Sequence, residues 1–131
     1  MEQPFIREEM LLGTDALQCL KAAHVAIFGI GGVGSYCAEG LARAGLGRLT
    51  LIDNDTVGIS NLNRQIVALH STIGQYKSDV MAARIRDINP ECKVRSLPLL
   101  YTEQTKSQFF PGDYDYLVDA IDLVSCKLSL I

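Results

Sequence analysis

His24-Val25-Ala26-Ile27-Phe28-Gly29-Ile30-Gly31-Gly32-Val33-Gly34 joins a short apolar run to a glycine-rich turn. A run of that length bounded by glycine reads as a buried parallel strand. Beyond it, Gly34, Ser35, Ala38 and Gly40 are small enough for a helix to lie close on a sheet. That helix is expected from about Gly32 to Ala44, with Gly45 as its stop. Strand, Gly29-x-Gly31-x-x-Gly34 turn and helix in that order make a phosphate-binding unit. The turn carries backbone amides and a helix N-terminus toward anionic oxygens.

The flanks extend the same pattern. Upstream, residues 5–23 read as short helical pieces: Leu11, Leu12, Leu17 and Leu20 recur at rough helical spacing, broken at Gly13, with Thr14 as an N-cap. Downstream, Leu49–Ile52 is a second strand with Asp53 at its tip. The polar loop that follows, to about Gly74, is long for a compact domain and so must do more than connect. A helix over Gln75–Ile88 carries the stripe Val80, Met81, Ile85 and Ile88 and ends at Asn89-Pro90. Cys92–Leu97 is a third strand, Thr102–Phe109 a short helix capped by Thr102, and Pro111-Gly112-Asp113 a turn. Tyr116–Val118 is a fourth strand, and a further helix begins at Leu123.

Strands alternating with helices predict an α/β protein: a Rossmann-like, doubly wound, mostly parallel sheet with helices on both faces. Residues 1–23 form a helical N-terminal segment and 24–131 the core. The last helix has barely begun at Ile131, and Leu128, Leu130 and Ile131 still want cover. The chain is therefore expected to be the N-terminal portion of a longer protein.

Composition narrows the function classes. The 131 residues are 48% hydrophobic and 21% charged, an ordinary globular balance. A net charge of −3 gives no global attraction to nucleic acid, so an RNA partner would need a local basic patch. The densest basic group, Arg84, Arg86, Lys93 and Arg95, reads as a solvated helix face and loop. Cys19, Cys37, Cys92 and Cys126 lack metal-ligand spacing and read as free thiols in a reducing cytoplasm. The N-terminus is no signal peptide, and no apolar stretch is long enough to span a bilayer.

Asp53 is placed to accept hydrogen bonds from ribose hydroxyls, or to cap the loop that follows it. To that point an NAD-dependent oxidoreductase fits. Asp55, Asn61, Arg64, Gln65 and Lys77 then add two cations and two amides near the nucleotide. A dinucleotide pyrophosphate is held mostly by backbone amides. A triphosphate about to be split needs cations, because charge builds on the departing pyrophosphate. Arg64 offers a planar fork and Lys77 a compact point charge. Asp122, at the end of the fourth strand, suits either Mg²⁺ or a helix N-cap.

The ordered motifs G-I-G-G-V-G-S, L-I-D-N-D-T-V, S-N-L-N-R-Q, G-Q-Y-K, I-N-P and D-A-I-D cover essentially the whole chain. Together the chain resembles the adenylating domain of the ThiF/MoeB/HesA family, relatives of the ubiquitin-activating enzymes. The opening F-I-R-E-E-M-L-L-G and the helix S-Y-C-A-E-G-L-A-R-A-G-L-G are similar to its tRNA threonylcarbamoyladenosine dehydratase branch. The resemblance implies ATP and Mg²⁺ as cofactors and tRNA carrying threonylcarbamoyladenosine as partner. Gly29, Gly31, Gly32 and Gly34 would form the nucleotide loop, and Asp53 would hold the ribose, with Asp55 beside it. Asn61, Arg64 and Lys77 would contact the phosphates with Gln65 nearby, and Asp122 would hold Mg²⁺. Arg7, solvated by its sequence context, resembles an arginine that family homodimers insert into the neighbouring ATP site. The implied chemistry is activation of the threonylcarbamoyl carboxylate, then dehydration to a cyclic form. Family cysteines that act in catalysis lie later than this chain reaches, so Cys37, Cys92 and Cys126 are not assigned that role. Other readings are adenylation of a ubiquitin-like sulfur-carrier protein, an NAD-dependent oxidoreductase, and a non-catalytic truncated nucleotide-binding domain.

Overall fold

A computed structural model describes residues 4–110, 112–121, 128 and 130. Four strands, β1 (His24–Phe28), β2 (Arg48–Ile52), β3 (Lys93–Leu97) and β4 (Tyr116–Asp119), form one sheet in the order β3-β2-β1-β4. Every pairing is parallel, so the sheet among the described residues is wholly rather than mostly parallel. The helices are α1 (Ile6–Leu12), α2 (Thr14–Ala22), α3 (Gly32–Ala44) and α4 (Lys77–Ile88).

β1 lies in the middle of the sheet and all five of its residues are buried. Val25 and Ile27 point to one face, where Leu49 and Leu51 of β2 join Ala38 and Ala42 of α3 and Met81 and Ile85 of α4. Burial of each large apolar side chain there contributes about 1.5–3 kcal/mol. The Asn89 side-chain amide, at the end of α4, donates to the Ala42 carbonyl (3.2 Å) and ties the two helix ends together. Ala26, Phe28 and Ile52 point to the opposite face, against Tyr101 and Phe109. Phe28 meets both aromatic rings edge-on, with centroids at 5.1 and 5.8 Å.

His24 pins the lower corner of the sheet. Its Nε2 lies 2.7 Å from the Thr50 hydroxyl and its Nδ1 3.2 Å from an Asp113 carboxylate oxygen. Its backbone N–H donates to the Asp115 carboxylate (2.7 Å), and Asp115 N–H donates back to the His24 carbonyl (2.8 Å).

Two local expectations change. Thr14 does not cap α2: Gly13 holds that position and Thr14 begins the helix. The Thr102–Phe109 helix is a single 3-10 turn, Lys106–Gln108. Thr102 instead exchanges hydrogen bonds with Thr105, and such Thr-to-backbone bonds compete with a continuing helix. On the second face of the sheet this turn and its aromatic side chains pack together with Leu130, which is helical. The long loop after β2 holds two 3-10 turns, Ile59–Asn61 and His70–Thr72. Antiparallel bonds close it, Val57 N–H to the Gln75 carbonyl and Gly74 N–H to the Val57 carbonyl. Among the described residues no helix is long and apolar enough to cross a membrane.

Candidate nucleotide site

At the carboxyl edge of the sheet the chain leaves β1 and turns into α3. Gly29 has φ +100°, a left-handed conformation that glycine adopts freely. A Cβ there would sit 2.5 Å from the Ala120 carbonyl oxygen. Gly34 is crowded more severely, its Cβ position lying 1.7 Å from the Gly29 carbonyl oxygen. Glycine is therefore what lets loop, helix and β4 end converge. Gly32 is different: a Cβ there meets nothing within 4 Å, so its bareness keeps the cleft floor open.

That floor belongs to a cleft of about 450 Å³. Gly29, Gly31 and Gly32 lie along it, and its polar side is formed by Asp53, Asp55, Arg64, Gln65 and Lys77. The first turn of α3 contains no acidic residue, so nothing on it opposes an anion at the helix N-terminus. Lys77, the first residue of α4, is 6% exposed, and its ammonium has no hydrogen-bond partner among the described residues. Arg64 is aimed by its own loop: Nη1 donates to the Ser60 carbonyl (2.9 Å) and the Asn63 side-chain oxygen (3.0 Å). Gln65 is 9% exposed, and its Oε1 is buried with no partner among the described residues. Such an atom costs stability until a ligand or water completes it.

Asp53 serves the protein itself. One carboxylate oxygen accepts from Ile30 N–H (2.7 Å) in the glycine loop and the other from Asp55 N–H (2.8 Å). The clip leaves lone pairs for a ribose, and it makes the loop geometry depend on a charged acceptor. Asp53→Asn puts an amide NH₂ against one of those donors. We expect a loss of about 1–3 kcal/mol in stability, read by thermal melting. An unaltered melting temperature would exclude the clip.

Of the other residues singled out in the sequence, Gly34 lies beneath the cleft rather than on it. Asn61 is buried in the loop, where its side-chain oxygen accepts from Gly58 N–H (2.8 Å). It shapes the segment that presents Arg64, and it does not line the cleft. Arg7 is exposed on α1, away from the cleft lining. Asp122 and Cys126 lie outside the described residues. Burial raises the Cys37 and Cys92 thiols above their usual pKa, which opposes nucleophile chemistry at either. The described residues contain no group of three or more His, Cys, Asp or Glu able to hold a metal.

Sequence reasoning missed the apolar wall. Phe28, Ile52, Leu99, Leu100 and Tyr101 line the cleft opposite the cations. The run Leu97-Pro98-Leu99-Leu100-Tyr101 directly after β3 was the available signal, since chain leaving a strand at the carboxyl edge faces the ligand crevice. One wall is apolar and planar enough for a base, and the other is cationic and amide-rich enough for phosphates.

The profile of the ThiF family matches residues 6–130. A Bacillus subtilis tRNA threonylcarbamoyladenosine dehydratase is 51% identical over all of this chain and 52% of its own length. An Escherichia coli molybdopterin-synthase adenylyltransferase is 34% identical over 88% of the chain and 46% of its length. The crystal structure of the Escherichia coli tRNA N6-threonylcarbamoyladenosine dehydratase in complex with ATP superposes with a TM-score of 0.95 at 48% identity. That match covers 98% of this chain and 53% of the other. The chain spans about half the length of the curated relatives it matches.

Proposed function

Because this chain belongs to the ThiF family, we propose that its cleft binds ATP and activates a carboxylate by adenylation. The carboxylate proposed is that of the threonylcarbamoyl group on a tRNA adenosine. The observation that carries the reading is the meeting of a glycine loop, two cations and an apolar wall at one sheet edge. The base would lie against Phe28, Ile52 and Tyr101, and the ribose near Asp53. The phosphates would extend over Gly31 and Gly32 toward Arg64 and Lys77.

The carboxylate oxygen attacks the α-phosphorus, the bond from that phosphorus to the bridging oxygen breaks, and pyrophosphate leaves. Arg64 and Lys77 lower the barrier by meeting the charge that gathers on the leaving group. Ring closure then expels AMP, which carries away the original carboxylate oxygen, so the modified base has lost one water in total. Mg²⁺ would neutralise phosphate charge when bound. Asp55, which lines the cleft, would hold it together with Asp122, which lies outside the described residues. Arg7 would act across a homodimer, consistent with its exposure on α1.

A second reading, adenylation of a carrier protein's C-terminus, is supported by the relative that serves molybdopterin synthase. An oxidoreductase would leave both cations without employment. Pyrophosphate release from ATP separates the possibilities. We expect at least tenfold stimulation by tRNA bearing threonylcarbamoyladenosine over the same tRNA lacking it. Equal rates with both tRNAs, or stimulation by a carrier protein instead, would overturn the tRNA reading.

A further inference from the structure

We propose that a second, cationic cleft, at the amino-terminal edge of the sheet, holds phosphates of the RNA backbone. Strand register builds it. His24, Arg48 and Lys93 lie level across β1, β2 and β3, and one step up on the same face come Ala26, Thr50 and Arg95. The next row, Phe28, Ile52 and Leu97, is apolar and takes part in the aromatic cluster. The β3–β4 connection packs on the upper rows, and between the lower rows and its residues Gln108, Asp113 and Tyr114 lies a cleft of about 480 Å³.

Charge in the cleft is one-sided. Arg48, Lys93 and Arg95 line it against, among the described residues, a single carboxylate, Asp113. Asp113 is already committed: Arg48 pairs with it, and its carboxyl is held below the usual range mainly by that guanidinium. Lys93 and Arg95 are exposed and have no carboxylate partner among the described residues. This excess is local, in a chain whose net charge is −3. The reading of these two residues as merely solvated overlooked that register sets them beside Arg48.

Geometry favours a polyphosphate strand. Lys93 and Arg95 are two residues apart on one strand, roughly 7 Å, a spacing comparable to that of successive phosphates along an RNA chain. A sheet face fixes that spacing, as a loop would not. Tyr114 lies beside them, its ring against His24 with centroids at 4.9 Å and its hydroxyl donating to the Phe109 carbonyl (3.2 Å). An aromatic wall next to cations suits nucleic acid. The five residues of β1 put this cleft roughly 13 Å from the nucleotide cleft, and one RNA stem is wide enough to reach both. The choice of RNA over an acidic polypeptide rests on the tRNA reading; the cationic cleft itself does not.

The test is filter binding of a tRNA transcript between roughly 50 and 200 mM salt. The double variant Lys93→Gln/Arg95→Gln should bind about tenfold more weakly. Its log–log salt slope should be shallower by about 1.4–1.8, the value for two lost phosphate contacts. Each single variant should give about half that change, and Lys93→Arg should behave as wild type. ATP binding, at the far edge, should be unchanged and reports an intact fold. Wild-type affinity and slope in the double variant, with ATP binding intact, would overturn the proposal. So would polyglutamate competing as well as tRNA per unit charge. If wild type itself binds no ATP, the adenylation reading falls; thermal melting then reports the fold, and the same slope change in a double variant that melts as wild type leaves this proposal standing.

Discussion

Lys77→Ala is expected to lower ATP affinity by about 10- to 100-fold, the worth of a charge-assisted hydrogen bond. It should slow pyrophosphate release by a further 10²- to 10³-fold, in the range seen when a preorganised charge stabiliser is removed. The side chain opens α4 and is buried, its stem inside the protein and its ammonium at the cleft. Enclosing a cation costs stability unless something anionic meets it. Here the backbone N–H of Lys77 is used, donating to the Asp55 carbonyl (3.0 Å), while the ammonium is left for a ligand. Truncation to alanine also opens a small cavity, so Lys77→Met is the informative companion. It keeps the stem and removes the charge. Both variants should lose ATP alike, and Lys77→Met should melt no lower than wild type. Unchanged ATP affinity in both, by calorimetry, would remove Lys77 from the phosphate site.

Gly34→Ala is expected to cause the largest loss of stability of any single methyl group added to this chain's nucleotide loop. The new Cβ would lie 1.7 Å from the Gly29 carbonyl oxygen and 2.9 Å from its carbon. Both are backbone atoms of Gly29, so no flexible side chain can swing aside. Either α3 lifts from the loop or the loop leaves β4. Overpacking commonly costs 1–3 kcal/mol and occasionally more; with a backbone carbonyl in the way we expect about 3 kcal/mol or more. For a domain of this size that lowers the melting temperature by roughly 10 °C. Gly32→Ala is the control, because its Cβ meets nothing within 4 Å. It should fold normally and still bind ATP more weakly, since its methyl enters the space proposed for phosphate. Calorimetric melting of the pair decides the matter: equal stability would mean the close approach at Gly34 is relieved at no cost.

The core of this fold was readable because β1, α3 and β2 obey one rule at each level. An apolar run, glycines at a turn and small residues on a helix all specify the same strand–turn–helix packing. Asp53 was readable as a site residue for the same reason, being fixed at a strand tip. Its second occupation, clipping Ile30 to Asp55, was not, because hydrogen bonds to backbone amides leave no mark on residue identity. Thr102 misled as a helix cap because its hydroxyl serves a closed turn with Thr105 equally well. Leu99, Leu100 and Tyr101 carry no motif at all; only the sheet order, which brings the end of β3 toward the glycine loop, makes them cleft wall. Lys93 and Arg95 look scattered along the chain for a related reason: their meaning depends on the register of β3 with β2.

His24 bears on how the protein assembles. One ring nitrogen reaches Thr50, 26 residues on, while its backbone N–H reaches Asp115, 91 residues on. Closing the longer loop costs only about 1.1 kcal/mol more than the shorter one, so equilibrium stability hardly registers the difference. Time does. β1, α3, β2, α4 and β3 are consecutive in the chain and pair or pack as neighbours, whereas β4 must return past β2 and β3 to the free side of β1. On a ribosome it also emerges after them. The Ala120 carbonyl that crowds Gly29 arrives with β4, so the glycine loop gains this wall only when β4 docks, after β1, β2 and α3 are in place.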